Sequence, residues 1–376
     1  MKKKKILHVI ATLNHGGAEN VAVNFFRLVN KEKYTCDYLI YVNDKRDYED
    51  EIKKLGGNVY CITNPHTNYC KWKKEFKEIL KTKGPYDIVH SHNLFHSGDV
   101  LKLSKRMGVK MRIAHSHTTS SSLSLPIIKK IYDSIKRKEI KRYATDIVAC
   151  GKEAGDYLFG RKLFQEKGII INNDIDLNKF GFNNDIRKKI RKELNIENNF
   201  VLLNVGRLLP VKNQIFLIEL MRYIKCKNNH IKLIIIGDGP MKDELDNKIK
   251  EYSLEDNIVL LGNRSDVNRI LNAADMFIMP SLFEGLPLAI IEAQGNGLHV
   301  LASNTISREC DITGLVNFFS LDDSIETWTN AVLNGINYKH ENTKEIIINK
   351  HYDTESNKIF INDFYDGGLE IEKQKI

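Results

Sequence analysis

The sequence predicts an α/β protein built from two Rossmann-like, doubly wound domains. Three observations carry this reading. The chain has 376 residues, enough for about two domains of 100–200 residues each. Short apolar runs alternate with amphipathic stretches from end to end, the pattern of successive β-α-β units on a parallel sheet. Its 42% apolar and 28% charged residues, with only 7 prolines, suit a folded globular chain rather than a disordered or fibrous one.

Taken in order, strands are predicted at 5–11, 35–42, 58–62, 88–91, 111–115, 146–149 and 168–171, with a helix at 20–29 after the first. A second series follows at 200–204, 231–236, 258–261, 276–279 and 299–302, interleaved with helices at 215–225, 241–252, 267–273 and 288–295. The apolar run after Met1 to Lys5 reads as a buried strand and not as a signal peptide. It is short, contains His8, and continues into Asn14-His15-Gly16-Gly17 without a small-residue cleavage site. No run approaches the roughly 20 apolar residues of a membrane span. The domain reading is 1–175, a linker at 176–195, a second domain at 196–350 and a C-terminal segment at 351–376.

The 6 cysteines are scattered, with no Cys-x-x-Cys pair, which fits a reducing cytoplasm and argues against a zinc module. The net charge of +9 is uneven, because residues 1–180 hold 34 Lys+Arg against 20 Asp+Glu while the remainder is net acidic. The first half therefore faces an anionic partner, a phosphorylated acceptor or an acidic membrane surface, or is a lysine-rich solvated surface. Nucleic acid is disfavoured, since no aromatic–basic interleaving, helix-turn-helix or finger pattern is present.

In doubly wound sheets, ligands bind beyond the carboxyl ends of the strands, so the loops there hold the candidate residues. Gly16 and Gly17 precede the first helix, where paired glycines permit positive φ and amides at a helix start can face an anion; a plain tight turn is the alternative. His90 and His92, and His115 and His117, are His-x-His pairs at two strand ends. Each pair faces one side of its strand. A metal site would want nearby carboxylates, and only Asp99 is at hand, so neutral imidazoles hydrogen-bonding a sugar hydroxyl or phosphate are preferred over metal ligands. The alternative for them is buried, satisfied core histidines. Arg207 and Lys212, five apart around Pro210, direct two cations at one point and suit a pyrophosphate. Gly237-Asp238-Gly239-Pro240 only imitates a dinucleotide fingerprint. In Pro280-Ser281-Leu282-Phe283-Glu284-Gly285-Leu286-Pro287, a strand delivers Glu284 to a loop, and Glu292 lies on the following helix. Two carboxylates beside an anion site make sense as acceptors of hydroxyl hydrogen bonds from a sugar and a ribose.

These motifs together resemble a family 4 retaining glycosyltransferase with the GT-B fold, two Rossmann-like domains facing a central cleft. The resemblance runs through almost the whole chain. It is carried by His15-Gly16-Gly17-Ala18-Glu19, Val89-His90-Ser91-His92-Asn93, Ala114-His115-Ser116-His117, Gly206-Arg207 with Lys212-Asn213, Gly237-Asp238-Gly239-Pro240, and the two glutamates eight apart. The segments Arg112 to His117 and Ser303 to Glu309 further resemble bacterial enzymes of capsular and exopolysaccharide assembly.

The resemblance implies a sugar-nucleotide donor, probably UDP-linked, as a substrate, with no cofactor and no metal. It implies Arg207 and Lys212 on the phosphates, Glu292 on the ribose and Glu284 on the sugar. Asn263 to Val267 would border the base, with Gly237, Gly285, Leu286 and Pro287 lining the donor loops. His117 would reach the transferred sugar and Gly16 and Gly17 the diphosphate; Glu19, His92 and His115 fall on the acceptor side. His117, Glu284, Arg207 and Lys212 are thus the expected catalytic set. The acceptor would be a glycan or a polyprenyl-diphosphate-linked oligosaccharide on the inner face of the membrane. The lysine- and arginine-rich amphipathic stretch 127–142 suits an anionic leaflet, or packs on the sheet with its charges in water. GT-B chains often send their last helix back to the first domain, which bears on 351–376. Competing readings are a GT-B-like UDP-sugar epimerase, a non-catalytic sugar-nucleotide-binding partner of another transferase, and a nicotinamide-dependent dehydrogenase; the last lacks its glycine fingerprint.

Overall fold

In the computed structural model, residues 3–14, 16–42, 46–118 and 127–367 are described. His15 of the glycine motif and the final residues 368–376 lie outside them. Two compact units divide the chain: Met1–Asn173 with Glu355–Ile376, and Asp174–Thr354. The chain thus crosses between units twice, and the second unit is inserted within the first.

The first unit is a seven-stranded sheet of β1 (Lys4–Val9), β2 (Tyr34–Ile40), β3 (Val59–Cys61), β4 (Ile88–Ser91), β5 (Met111–Ser116), β6 (Asp146–Ala149) and β7 (Gly168–Ile170). All pairings are parallel, in the order β3-β2-β1-β4-β5-β6-β7. Both faces are covered, as parallel sheets require. Along β1, Ile6 joins one core with Phe25 and Phe26 of the helix Gly17–Leu28, while Leu7 and Val9 join the other with Trp72 and Phe76 of the helix Tyr69–Thr82. The register sets His8 opposite His90.

The helix Thr354–Asp366 packs its Ile361, Phe364 and Tyr365 into the same core as Ile6 and Phe25. Polar contacts fix its register. Asn30 N donates to Asn362 Oδ1 at 2.7 Å and Asn362 Nδ2 donates to Leu28 O at 3.1 Å, so Asn362 satisfies backbone groups where the helix Gly17–Leu28 ends. Tyr34 Oη donates to Asp366 Oδ1 at 2.6 Å, and Lys33 pairs with the same carboxylate at 2.7 Å.

The second unit is a six-stranded parallel sheet of β8 (Phe200–Val205), β9 (Ile231–Ile236), β10 (Ile258–Leu260), β11 (Met276–Met279), β12 (His299–Ser303) and β13 (Val316–Phe319), ordered β10-β9-β8-β11-β12-β13. β13 has no counterpart among the predicted strands. Residues 176–195, read from sequence as a linker, hold the helices Leu177–Phe180 and Asn184–Glu193, both in the second unit. The reason is electrostatic. Arg187 and Arg191 on the second of these helices both pair with Asp275, whose Oδ2 also accepts from Val201 N at 2.7 Å at the start of β8.

Candidate functional site

Ligands of open parallel sheets sit beyond the carboxyl ends of the strands, where the strand order reverses. That reversal falls between β1 and β4 in the first unit and between β8 and β11 in the second. Most of the residues singled out in the sequence lie directly behind those four strands.

Behind β1, Gly16 caps the helix Gly17–Leu28 with extended backbone, φ −154°. Neither Gly16 nor Gly17 takes a positive φ, which corrects the sequence expectation. Close approach of a side chain is what Gly16 allows. A Cβ on Gly16 would run into the Glu19 carboxylate, while one on Gly17 would meet nothing within 4 Å. Glu19 folds back over the start of its own helix, and its Oε1 accepts from Thr12 Oγ1 at 2.7 Å. Negative charge is favoured there by the helix dipole, so an incoming anion must compete with this carboxylate.

Behind β1, β4 and β5, five imidazoles gather on the face covered by the helices Gly17–Leu28 and Thr354–Asp366. His8 Nδ1 lies 3.0 Å from His92 Nε2, and His92 Nδ1 lies 2.8 Å from His117 Nε2. In a second row, the Tyr365 hydroxyl lies 2.8 Å from His90 Nδ1, and His90 Nε2 lies 3.1 Å from His115 Nδ1. Within rows, ring centroids are 5.1 to 5.3 Å apart and nearly coplanar, the spacing of edge-to-edge hydrogen bonds. Between rows, His90 lies over His92 at 4.4 Å and His115 over His117 at 4.1 Å. Burial pushes His8 and His117 down to about 3 and holds His90, His92 and His115 well below the usual histidine range. All five are therefore neutral at physiological pH.

Two histidine triads, His8/His90/His92 and His92/His115/His117, each bring three ring nitrogens within 4.8 Å. Stacked rings, however, turn their in-plane lone pairs side by side instead of toward one point. Asp99 is also committed elsewhere. Although burial acts the other way, bonds from His96, Lys136 (2.7 Å) and Tyr69 (2.8 Å) hold its carboxyl well below the usual range. The geometry is that of two hydrogen-bonded rows of neutral imidazoles.

In the second unit, the loops behind β8, β9 and β11 are zipped together. Gly237 has φ +150°, and a Cβ there would overlap the Gly206 carbonyl oxygen, so only glycine allows the two loops to touch. Leu208 N donates to Asp238 O at 3.0 Å, and Leu282 N to Val211 O at 2.8 Å. Asn213, in the left-handed region at φ 56°, donates through Nδ2 to Pro280 O at 3.2 Å. These bonds set Lys212 against Glu284 in a direct ion pair, with Ser281 Oγ donating to Glu284 Oε1 at 3.1 Å. Arg207 stands exposed at the mouth of the same loop.

Gly285 and Leu286 follow in the β11 loop, and Pro287 caps the helix Leu288–Gly295, which carries Glu292. Glu292 keeps a little exposure, yet burial pushes its carboxyl up to about 7. Asn263 and Val267 lie behind the edge strand β10, whose loop meets that of β9 where Gly237 N donates to Gly262 O at 2.9 Å. The structure thus brings Arg207, Lys212, Gly237 and Glu284 together and leaves Asn263 and Val267 a strand further out.

Two participants escaped the sequence reading. His8 gave a usable signal, since it shares the parity of the inward-facing residues of β1; Tyr365 gave none.

The basic surface of the first unit has two features. The helix Ile127–Tyr143 exposes Ile131 (55%) and Ile135 (51%) beside Lys130, Lys138, Lys141 and Arg142. A shallow groove of about 450 Å³ is lined by Lys73, Lys74, Lys77 and Lys81 with Met107. Among the described residues, no helix is long and apolar enough to cross a membrane.

Residues 185–315 match the family model described as "Glycosyl transferases group 1". The chain is 30% identical over 362 residues to EpsF of Bacillus subtilis (strain 168), named as a glycosyltransferase, covering 94% of each. It is 29% identical over 355 residues to an Escherichia coli UDP-Gal:alpha-D-GlcNAc-diphosphoundecaprenol alpha-1,3-galactosyltransferase, covering 88% of this chain and 87% of that one. The crystal structure of Anabaena Alr3699/HepE in complex with UDP-glucose superposes with a TM-score of 0.76 at 19% identity, covering 96% of this chain and 99% of the other. That likeness is one of fold, and the fold is GT-B. With 30% identity to EpsF over 94% of both chains and the family match over residues 185–315, the chain belongs to the group 1 glycosyltransferases.

Proposed function

We propose that this glycosyltransferase moves a hexose-type sugar from a UDP-linked donor, with retention and without a metal, to a polyprenyl-diphosphate-linked or oligosaccharide acceptor in capsule or exopolysaccharide assembly. One observation carries the donor assignment: Lys212 behind β8 pairs with Glu284 behind β11 at the switch point of the second sheet, and Arg207 stands exposed on the same β8 loop. Cations there meet a diphosphate, and carboxylates meet hydroxyls. The Anabaena protein of the same fold binds UDP-glucose, and the Escherichia coli relative is named for UDP-Gal and an undecaprenol-linked acceptor; both support the reading.

The chemistry follows from charge. Breaking the anomeric C–O bond leaves positive charge on the sugar ring and puts negative charge on the departing diphosphate. Arg207 and Lys212 stabilise that leaving group, and the loss of one such preorganised donor costs about 3 kcal/mol, roughly 10²-fold in rate. Lys212 can do so only by sharing its contact with Glu284, which then turns its free lone pairs to sugar hydroxyls. Glu292 serves the ribose, His117 the transferred sugar, and Gly16 and Gly17 the diphosphate, with Asn263 and Val267 toward the base. Glu19, His92 and His115 belong to the acceptor side. The acceptor hydroxyl attacks from the face the diphosphate leaves, and a phosphate oxygen takes its proton.

Exposed Ile131 and Ile135 flanked by lysines support docking on the anionic inner leaflet. Thermal unfolding with UDP, GDP, ADP, NAD and several UDP-sugars tests the donor. At 100 times its dissociation constant a ligand adds about 2.7 kcal/mol. A UDP-selective shift is expected, and a shift with NAD alone, or with no nucleotide, refutes the reading. A product-ratio assay without acceptor separates transfer from epimerisation, and the anomeric configuration of the product, read by NMR, tests retention.

A further inference from the structure

Where β11 gives way to its loop, the sheet ladder falls out of step and side chains take over from it. Met279 pairs with Ala302, yet the next bridge beyond them joins Glu284 to Ile306. Four residues of the β11 loop, Pro280 to Phe283, therefore face three of the β12 loop, Ser303 to Thr305. An extra residue on one strand displaces backbone donors from backbone acceptors, and Pro280 has no N–H to give. A carbonyl in that gap needs another donor, because a buried unpaired backbone group is costly.

Ser281 O is that carbonyl. Ser303 Oγ lies 2.5 Å from it and Thr305 Oγ1 2.8 Å, and the two hydroxyls are 2.8 Å from each other. A carbonyl only accepts, so the protons in these contacts come from the hydroxyls. Two protons serve three contacts, and whichever two contacts they fill, Ser281 O receives at least one. Ser281 and Ser303 are fully buried, so bulk water does not compete. The hydroxyls are themselves anchored. Ile306 N donates to Ser303 O at 3.1 Å and closes a tight turn, Asn304 N donates to Phe319 O of β13 at 2.8 Å, and the Ile306 side chain is buried in the core of the second unit.

The other edge of the β11 loop is tied to the β8 loop through Leu282 N and Pro280 O. Between these ties, Ser281 donates its own hydroxyl to Glu284 Oε1 at 3.1 Å, the oxygen that also pairs with Lys212. Both bonds end on Oε1 and neither engages Oε2. The carboxylate is thus held by one oxygen, which leaves the other for a ligand hydroxyl.

We propose that Ser303 and Thr305 are positioning residues that orient Glu284 through Ser281, and so set how much the sugar adds to the binding of the nucleotide. The proposal rests on the reading that Glu284 meets the donor's sugar. It gives the segment Ser303 to Glu309 a place in the site. Either hydroxyl alone can serve the Ser281 carbonyl, so the two back each other up, and the clamp opens only when both are gone.

The test is calorimetric titration of the full chain with UDP and with UDP-glucose, UDP-galactose, UDP-N-acetylglucosamine and UDP-N-acetylgalactosamine. The sugar's share is the ratio of the dissociation constant of UDP to that of the tightest UDP-sugar. Thr305→Val keeps the shape of the side chain and removes its hydroxyl; Ser303→Ala removes the other. Each alone is expected to change the ratio by less than about twofold. The double variant is expected to lower it about tenfold, the value of one hydrogen bond, or to one where the wild-type ratio is smaller, with the dissociation constant of UDP unchanged. Thr305→Ser in the Ser303→Ala background is expected to restore the ratio, which a loss of packing would not explain. Ser281→Ala removes only the hydroxyl on Glu284; it is expected to match the double variant and decides the matter if that variant fails to fold. An unchanged ratio in the double variant or in Ser281→Ala overturns the proposal. So does loss of UDP binding in a folded double variant, since the hydroxyls would then merely support the loop. Glu284→Ala tells the two readings apart and is expected to bring the ratio to one without weakening UDP. If it keeps the ratio, or if the wild type binds no UDP-sugar more tightly than UDP, the sugar-binding role of Glu284 fails and the clamp with it. If it loses the ratio while the double variant and Ser281→Ala keep it, the clamp alone fails.

Discussion

Glu292→Gln puts the donor-site assignment at risk most directly, because the free protein and the liganded protein want opposite things from this residue. Burial raises its carboxyl from the usual 4.5 to about 7. A raised carboxyl binds its proton more tightly in the folded than in the unfolded state. Its contribution to stability is therefore greatest at low pH and is lost as pH rises from 4.5 through 7. The full span is about 3 kcal/mol at one unit per 1.36 kcal/mol, an upper bound because part of the side chain meets solvent. Glutamine is neutral at every pH, so the variant is expected to match the wild type near pH 5 and to exceed it at pH 8. At about 2–4 °C per kcal/mol for a unit of this size, the gain at pH 8 is at most about 6–12 °C. Ribose hydroxyls would supply the hydrogen bonds that the ionised carboxylate lacks in the free protein. Wild-type affinity for UDP is thus expected to weaken about tenfold per pH unit below 7, and the variant to lose both the affinity and its pH dependence. Thermal unfolding at pH 5.5 and 8.0, with and without UDP, reads all of this. A variant less stable than wild type at pH 8, or one that keeps the UDP shift, refutes the reasoning.

Three other outcomes are expected. Gly237→Ala, which drives a Cβ into the Gly206 carbonyl, is expected to unfold the second unit or cost more than about 3 kcal/mol, whereas Gly262→Ala at φ +65° with open space around it is expected to cost only about 1 kcal/mol; urea titration compares them. Asp275→Ala leaves Arg187 and the buried Arg191 without their carboxylate and is expected to destabilise the second unit by about 3–5 kcal/mol, measured by the same titration. Lys212→Ala is expected to lower kcat about 10²-fold with native thermal stability, and intact-mass measurement after a slow fluorinated donor is expected to show no covalent sugar on Glu284.

The sheets were legible because their strands are dense apolar runs: Ile231–Ile236 and Met276–Met279 have no competing helical period. β13 hid because Asn317 interrupts four residues that follow Gly314. The helix Asn184–Glu193 read as a linker because most of its residues are charged or polar. Its anchor is an ion-pair network to Asp275, far along the chain, which no local pattern reports. The site residues divide the same way. His90, His92, His115 and His117 were visible as pairs on single strands, but their stacking depends on the register of β1, β4 and β5. Tyr365 meets His90 across 275 residues. Composition and periodicity carry no trace of such a contact. The glycine pair shows the limit from the other side: the residues were found, yet the reason for Gly16 is the close approach of the Glu19 carboxylate, not positive φ.

The double crossing of the chain sets an order of assembly. Residues 174–354 form one continuous segment with its own sheet and core, so the second unit can close as soon as that segment has been synthesised. The first unit cannot close on emergence, although most of it is made earlier. Until the helix Thr354–Asp366 arrives, Ile6, Phe25 and Tyr34 lack the covering of Ile361, Phe364 and Tyr365, and the second histidine row has no hydroxyl at its head. A nascent chain therefore carries an open apolar face through the whole translation of the inserted unit, reversing the usual amino-terminal-first order. A stop codon or frameshift after residue 354 would leave the second unit complete and the first unit unable to finish. Such a product would be captured by chaperones through its first half.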